Sequence, residues 1–209
     1  LDAYYKYQLE NEDKSLKKGT GYRLVENILK INSFFSSDER QVEVIILSKN
    51  NAATSLRITN AINDLKLDII RSAWTSGTNI SNYLKAFKVD LFLSADDNDV
   101  LNAIENGVAA AKILPSNENI HNSSNNQVRI AFDGDAVLFS EESELVYKNH
   151  GLEAFIEHEK ENRNNPLEMG PFAKLLLTIA KIQAKFPTDK SPIRTALVTA
   201  RSAPTHERV

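Results

Sequence analysis

The chain repeats itself at an offset of 151 residues. Placing residues 1–58 on 152–209 requires no gap and gives 15 identities in 58 pairs, among them Gly19/Gly170, Leu24/Leu175 and Arg57/Arg208. Average residue frequencies would give about three or four identities by chance. One register kept across apolar, polar and glycine-containing stretches predicts a tandem duplication of a single folding unit.

The same offset predicts that each copy is incomplete. The second copy stops at the equivalent of Ile58, so counterparts of Thr59–Pro115 are expected after Val209. The first copy begins at the equivalent of Leu152, so a strand equivalent to the one before Asp133 is expected before Leu1. We therefore expect two repeated units, truncated at both ends.

Short apolar runs alternate with helix-like stretches along the chain. This alternation predicts an α/β fold with an open, mostly parallel sheet. Buried parallel strands are usually short and continuously apolar. The predicted strands are Val42–Leu47, Val89–Leu93, Val128–Phe132 and Thr195–Val198, and the predicted helices include Ala53–Leu65, Asp99–Ala111 and Pro171–Phe186.

A polar segment rich in Asn and Ser divides the chain. Residues 116–127 show no hydrophobic periodicity, which is typical of a linker. The expected organisation is a first repeat over 1–115, this linker, and a second repeat over 128–209.

Composition excludes several classes of site. The chain has 25 basic and 28 acidic residues, and the net charge of −3 argues against a uniformly basic nucleic-acid binder. It has no cysteine, so disulfides, thiolate catalysis and Cys-ligated metals are excluded. No apolar run reaches the roughly 18 residues of a membrane span. We expect a cytoplasmic protein that binds neither a nucleic acid polymer nor a membrane.

The segment from Val128 to Val137 carries the most informative chemistry. An apolar strand there delivers two carboxylates, Asp133 and Asp135, with Gly134 between them. Ligands bind at the carboxyl ends of strands in open α/β sheets, and paired carboxylates suit Mg²⁺ together with a substrate phosphate. The alternative is an ordinary Asp-Gly-Asp turn, since these residues favour turns.

A second strand-end pattern lies 66 residues after Asp133. The segment from Arg194 to Ser202 contains a predicted strand that is followed by Thr199, Ala200 and Arg201. A Thr hydroxyl with backbone amides behind it can receive a phosphate oxygen. The alternative is a Thr that only caps a helix. The two patterns in this order are more specific than either alone.

These residues resemble the haloacid dehalogenase (HAD) superfamily of phosphohydrolases and, more closely, the type I cytosolic 5′-nucleotidase family. Asp133-Gly134-Asp135-Ala136-Val137 matches the superfamily's DxDx(T/V) motif, and Leu197-Val198-Thr199 matches its second motif. The closer resemblance covers nearly the whole chain and includes the stretches Ile58–Asn63, Leu91–Val100, Ala131–Glu144, Gly151–Asn162, Pro166–Phe172 and Arg194–Ala203.

The resemblance implies two Rossmann-like units with a small helical cap over about residues 140–192. It implies that Asp133 is the nucleophile, forming an aspartyl-phosphate, and that Asp135 is the general acid and base. Mg²⁺ would be bound by the Asp133 carboxylate and the backbone carbonyl of Asp135.

Phosphate-binding groups are implied at the ends of both strands. The Thr199 hydroxyl would hold the phosphate, with the amides of Gly134 and Ala200 nearby. Arg201 is placed at the phosphate or the sugar as a further candidate.

One part of the superfamily pattern is not found after Val209, namely a lysine followed by an acidic motif on a later strand. The first copy has such a pattern, with Lys85 or Lys88 ahead of Asp96 and Asp97. The repeat offset therefore places the catalytic copy's acidic pair near positions 247 and 248. As alternatives, Asp96 and Asp97 complete the metal site of the second copy, or they begin a helix.

The expected function is Mg²⁺-dependent hydrolysis of nucleoside 5′-monophosphates, with AMP favoured by the resemblance. The alternatives are a phosphatase for another small phosphomonoester and a non-catalytic nucleotide-binding module. The first copy is interpreted as a structural or regulatory relic. The oligomeric state is left open, with a homo-oligomer among the options.

Overall fold

The structure, a computed structural model, describes residues 2–115, 126–203 and 205–209. Within these ranges helices and short strands alternate. The helices are α1 (Asp2–Glu10), α2 (Tyr22–Lys30), α3 (Leu56–Asp64), α4 (Ser81–Ala86), α5 (Asp97–Glu105), α6 (Glu142–Glu161) and α7 (Ala173–Gln183). The strands are β1 (Ile45–Ser48), β2 (Arg71–Trp74), β3 (Phe92–Ser94), β4 (Ala110–Lys112), β5 (Val128–Asp133) and β6 (Ile193–Val198).

The strands of the described ranges form three two-stranded sheets. β1 pairs with β2, β3 with β4, and β5 with β6. The β1–β2 and β5–β6 pairs are parallel. The predicted α/β class is confirmed, and these small parallel sheets with their helices are consistent with a Rossmann-like fold.

The structure corrects the predicted helix Asp99–Ala111. Helix α5 runs only from Asp97 to Glu105, and β4 occupies the end of the predicted span. Gly107 follows the helix with φ of 74°, a left-handed conformation that ends helices. The alanines after Val108 favour a helix by propensity, but burial in a strand overrides that preference.

The described residues form two compact units. The first comprises 2–89, 93–103, 111–115 and 126, and its core includes Ile31 and Leu84. The second comprises 90–92, 104–110, 127–203 and 205–209, and β5 and β6 bury Val128, Phe132 and Ile193 within it. Most of the predicted linker, 116–125, lies outside the described residues. Within the described part of the chain, no helix is long and apolar enough to cross a membrane.

Several hydrogen bonds recur inside the two units at the repeat offset. In the first unit, Arg57 Nε donates to the backbone oxygen of Lys14 at 2.8 Å. In the second, Arg208 Nε donates to the backbone oxygen of Asn165, also at 2.8 Å. The Asn50 amide donates to Ser48 Oγ at 3.2 Å, and the Arg201 amide donates to Thr199 Oγ1 at 3.1 Å. Both units therefore contain the same local geometry after β1 and β6.

The region of the predicted cap contains α6 and α7. Gly151 breaks α6 with φ of 83°, so the helix consists of two shorter pieces. Helix α7 buries Leu175, Ile179 and Ile182. A cap over the site stays a prediction.

Candidate active site at the carboxyl ends of β5 and β6

Asp133 and Thr199 lie at the same edge of the β5–β6 sheet. The parallel register pairs Asp133 with Val198, and Thr199 follows Val198 directly. Phe132 is buried beneath this edge, while Asp133 is exposed. The apolar strand thus anchors the backbone and presents the Asp133 carboxylate to solvent.

The chain leaves β5 through an irregular turn, Gly134–Leu138. Ala136 adopts φ of 59° in this turn, a left-handed conformation that is unfavourable for a residue with a Cβ. The Gly170 amide donates to Leu138 O at 2.8 Å, and the Phe172 amide donates to Val137 O at 3.0 Å. These bonds fix the turn from the segment that precedes α7.

Gly170 is required for this contact. A Cβ at Gly170 would lie 2.3 Å from Phe139 O and 2.5 Å from Val137 O, both of which are backbone atoms. Side chains cannot occupy that space, so only glycine allows the two segments to approach. Gly170 therefore supports the turn after Asp135.

Thr199 lies against Gly134. Thr199 Oγ1 is 3.6 Å from the position that a Cβ of Gly134 would take. The same oxygen accepts the Arg201 amide at 3.1 Å. Because that bond uses the oxygen as an acceptor, the hydroxyl hydrogen is left to act as a donor toward a bound anion.

Arg201 makes a close ion pair with Asp135. Its Nε lies 3.0 Å from both carboxylate oxygens, and its NH2 nitrogen lies 2.5 Å from Oδ1. The Arg201 side chain is 2% exposed, whereas that of Asp135 is 22% exposed. One face of the Asp135 carboxylate is thus fixed by arginine while part of the group remains accessible.

Behind Arg201 lies a buried carboxylate, that of Glu159, whose side chain is 0% exposed. One Glu159 oxygen accepts from Arg201, and the other accepts from Arg208 at 2.9 Å. Ser143 Oγ donates to that second oxygen at 2.7 Å. We call Asp135, Arg201, Glu159 and Arg208 the ion-pair chain.

Opposing effects determine the pKa of the Glu159 carboxyl. Burial alone would raise this pKa, but hydrogen bonds from Ser143 and Arg201 and the charge of Arg201 outweigh it. The Arg208 hydrogen bond adds to the effect, and the pKa lies below its ordinary value. Burial likewise lowers the pKa of Arg201, but its bonds to Asp135 and Glu159 raise it overall. Glu159 and Arg201 are therefore both charged at neutral pH.

Corresponding residues of the first unit are arranged differently. Ser48 ends β1, and the next residue, Lys49, pairs with Asp99 at 2.6 Å. Helix α5 begins at Asp97, as one of the two alternatives predicted. Asp96 Oδ1 accepts the Asp99 amide at 3.0 Å, which is a helix N-cap, and Asp97 pairs with Lys112 at 2.8 Å. The assignment of Asp96 and Asp97 to a metal at Asp133 stays a prediction.

The donors available for a magnesium ion are oxygen atoms. The exposed Asp133 carboxylate and the backbone carbonyl of Asp135 are hard ligands, and Mg²⁺ usually takes one or two carboxylates with water and phosphate oxygens. Among the described residues there is no cluster of three or more His, Asp or Glu side chains suited to a metal. The residues present therefore fit part of a magnesium site.

The structure brings Asp133, Gly134, Asp135, Thr199 and Arg201 together. It places the Arg201 guanidinium on Asp135 and Glu159, whereas the sequence suggests phosphate or sugar. Ala200 is exposed between Thr199 and Arg201. Sequence reasoning missed Glu159 and Arg208. Aligning the two segments at the offset of 151 residues could have indicated both, because Arg208 is identical to Arg57 and Glu159 is aligned with Gln8.

Comparison with known proteins shows the family of the chain. A family model described as 5′-nucleotidase matches residues 1–209, so the chain belongs to the 5′-nucleotidase family. The chain is also 35% identical to cytosolic 5′-nucleotidase 1B of Homo sapiens over 211 residues. That alignment covers 97% of this chain and 34% of the relative, so the chain spans about a third of the relative's length. No solved structure matches the chain.

Proposed function

We propose that the protein containing this chain is a Mg²⁺-dependent 5′-nucleotidase that converts nucleoside 5′-monophosphates, AMP preferred, to nucleoside and phosphate. The observation that carries the proposal is that exposed Asp133 and Thr199 lie at the same edge of the β5–β6 sheet. Membership of the 5′-nucleotidase family supports the reaction class. The relative named as cytosolic supports a cytoplasmic location.

The proposed chemistry uses two carboxylates in two steps. An Asp133 oxygen attacks phosphorus, the bond from phosphorus to the nucleoside 5′-oxygen breaks, and Asp135 gives that oxygen a proton. Water then attacks the aspartyl-phosphate, Asp135 takes the water's proton, and the bond between phosphorus and Asp133 breaks. The partial exposure of Asp135 is compatible with this role.

Groups at the carboxyl ends of β5 and β6 position the phosphate in this proposal. The Thr199 hydroxyl donates to a phosphate oxygen, and the amides of Gly134 and Ala200 point to the same region in this proposal. Asp133 and the Asp135 carbonyl would hold Mg²⁺, which supplies positive charge that reduces repulsion between the nucleophile and the phosphate.

The proposal includes the origin of the two units. We take them to be copies of one ancestral unit, and the recurring hydrogen bonds at offset 151 support this. The second copy carries the chemistry and the first is a structural or regulatory relic.

Phosphate release from a panel of nucleoside monophosphates, with and without Mg²⁺, tests the proposal. We expect metal-dependent release by the full-length protein and essentially none by Asp133→Asn. Asp189→Asn is the control, because Asp189 lies exposed in the short turn before β6. Unchanged turnover in Asp133→Asn would overturn the assignment of the nucleophile.

Two other functions give different outcomes in the same assay. A phosphatase for another phosphomonoester would act on non-nucleotide substrates in preference to the panel. A nucleotide-binding module would release no phosphate yet bind nucleoside monophosphates in calorimetry, with Asp133→Asn retaining that affinity.

A further inference from the structure

Glu159 is a fully buried charge to which the proposed reaction assigns no role. Its carboxylate contacts Ser143, Arg201 and Arg208 inside the second unit. Burying an ion pair costs desolvation energy that the attraction between the charges repays only in good geometry. A buried carboxylate between two arginines therefore requires a reason other than packing.

The first unit shows what this region looks like without charge. The equivalents of Arg201 and Glu159 are Asn50 and Gln8, both neutral. Asn50 Oδ1 accepts from Tyr4 at 3.3 Å. Tyr4 is the equivalent of Phe155, whose ring lies 5.4 Å from the Arg201 guanidinium carbon. The same positions are thus adjacent in both units, and neutral residues are sufficient for that local structure.

Arg208, which does not contact Asp135, has an identical equivalent in the first unit, Arg57. Arg57 and Arg208 each donate Nε to an equivalent backbone carbonyl at 2.8 Å. Among the residues that the structure describes, only the arginine of the second unit, Arg208, also contacts a carboxylate. At the positions compared, the second unit has charged Arg201 and Glu159 where the first unit has neutral Asn50 and Gln8.

Contacts within the ion-pair chain show how Glu159 reaches the site. Arg201 uses Nε and NH2 on Asp135, and it uses NH1 on Glu159 and on the backbone oxygen of Thr205 at 2.9 Å. Fixing NH1 from behind leaves the planar guanidinium one orientation in which its other edge meets Asp135. Ser143 and Arg208 in turn fix Glu159.

We infer that Glu159 is a positioning residue that sets the orientation of Asp135 through Arg201. The inference rests on the proposed function for its effect on turnover, because Asp135 transfers the proton in that proposal. It concerns geometry and gives Glu159 no contact with substrate. Small misplacements of a reacting group cost up to about 100-fold in rate.

The test compares Glu159→Gln, which keeps the shape and removes the charge, with Gln8→Glu, the reciprocal change in the first unit. Turnover is measured on the full-length protein with Mg²⁺ and a nucleoside monophosphate, per folded molecule. We expect kcat of Glu159→Gln to fall about 10- to 100-fold with KM changed less than about twofold, and Gln8→Glu to match the wild type.

Ser143→Ala gives a second, milder test should Glu159→Gln fail to fold. It removes one hydrogen bond from Glu159 and no charge, and we expect a kcat loss of a few-fold with KM unchanged. A purely structural role would lower the melting temperature of both variants while kcat per folded molecule stayed at the wild-type value. That result would overturn the inference.

A crystal structure of Glu159→Gln separates this inference from the proposed function. We expect the Arg201 guanidinium or the Asp135 carboxylate to move by about 1 Å or more, and an unchanged pair would overturn the inference. If the wild type released no phosphate, the proposed function would fail, and the displacement in the crystal structure would still decide the positioning role.

Discussion

Arg201 Nε lies 3.0 Å from each carboxylate oxygen of Asp135, although 66 residues separate the two in sequence. This ion pair joins the turn after β5 to the turn after β6. The two strand-end patterns of the sequence are therefore one physical unit, in which the second pattern holds a side chain of the first.

Replacing Arg201 by lysine tests that relationship. Lysine keeps the charge but cannot present two parallel N–H groups to a carboxylate, so we expect kcat to fall about tenfold or more. Steady-state phosphate release measures the effect. Arg194→Lys is the control, because Arg194 is exposed on β6, and equal activity of the two variants would contradict the prediction.

A methyl group at position 170 should disrupt the turn after Asp135. Gly170→Ala places its Cβ against the backbone oxygens of Val137 and Phe139, so we expect a loss of about 1–3 kcal/mol in the free energy of unfolding and lower turnover. Gly19→Ala, at the equivalent position of the first unit, meets nothing within 4 Å and is the matched control. Urea unfolding and an activity assay compare the two variants. Similar stabilities would contradict the close approach of Gly170 to the backbone of residues 137 and 139.

Glycine should be tolerated at position 136, in contrast to most positions. Ala136 has φ of 59°, and relief of about 1–2 kcal/mol of left-handed strain offsets the 0.5–1 kcal/mol entropy cost of glycine. We expect Ala136→Gly to be as stable as the wild type or more so. Ala180→Gly, at an exposed position of helix α7, should lose about 1 kcal/mol. Thermal unfolding of each variant measures its stability. Equal losses of stability in the two variants would contradict backbone strain at Ala136.

The stability of the second unit should depend on pH through Glu159. Because the pKa of the folded carboxyl is below its ordinary value of 4.5, its contribution is present above about pH 4.5 and is lost as pH falls through the folded value. The stability gap between the wild type and Glu159→Gln should therefore narrow in acid. Urea unfolding at pH 7 and pH 4 measures the gap, and a gap that widened in acid would show the opposite sign.

Asp96 should stabilise α5 and leave the metal unaffected. Asp96→Ala removes the hydrogen bond to the Asp99 amide, so we expect a loss of about 1 kcal/mol with unchanged Mg²⁺ affinity. Asp97→Ala removes only an exposed ion pair and should change stability by less than about 1 kcal/mol. Calorimetric Mg²⁺ titration is the measurement, and a large loss of affinity in Asp96→Ala would favour the cross-copy metal site.

The strands that carry the site were predictable from the sequence, and others were not. Strands β5 and β6 are apolar runs with Asp133 and Thr199 at their ends, so composition and strand-end chemistry agree. The strand β2, Arg71–Trp74, was missed because it is short, begins with Arg and Ser and is half exposed. The strand β4 was predicted as helix because its alanines have a high helix propensity, which tertiary packing overrides.

The contacts of the ion-pair chain could not be predicted from the sequence pattern, for a different reason. Pattern reasoning placed Arg201 at the phosphate or sugar because the residue follows Thr199 closely. The pairing of Arg201 with Glu159 depends on where α6 passes, and helical periodicity does not specify the neighbour of a given side chain. The available signal was the alignment of residues 1–58 with 152–209, in which Glu159 stands opposite Gln8 while Arg208 stands opposite an identical arginine, Arg57.

The matched hydrogen bonds of Arg57 and Arg208 have a consequence for comparing the two segments by sequence. Each arginine binds a main-chain oxygen, so the residues that supply that oxygen, Lys14 and Asn165, are free to differ. A residue-by-residue alignment scores this position as a substitution although the interaction is preserved. Because a substitution at such a backbone acceptor leaves the hydrogen bond in place, percentage identity between residues 1–58 and 152–209 understates how alike the two segments are in structure.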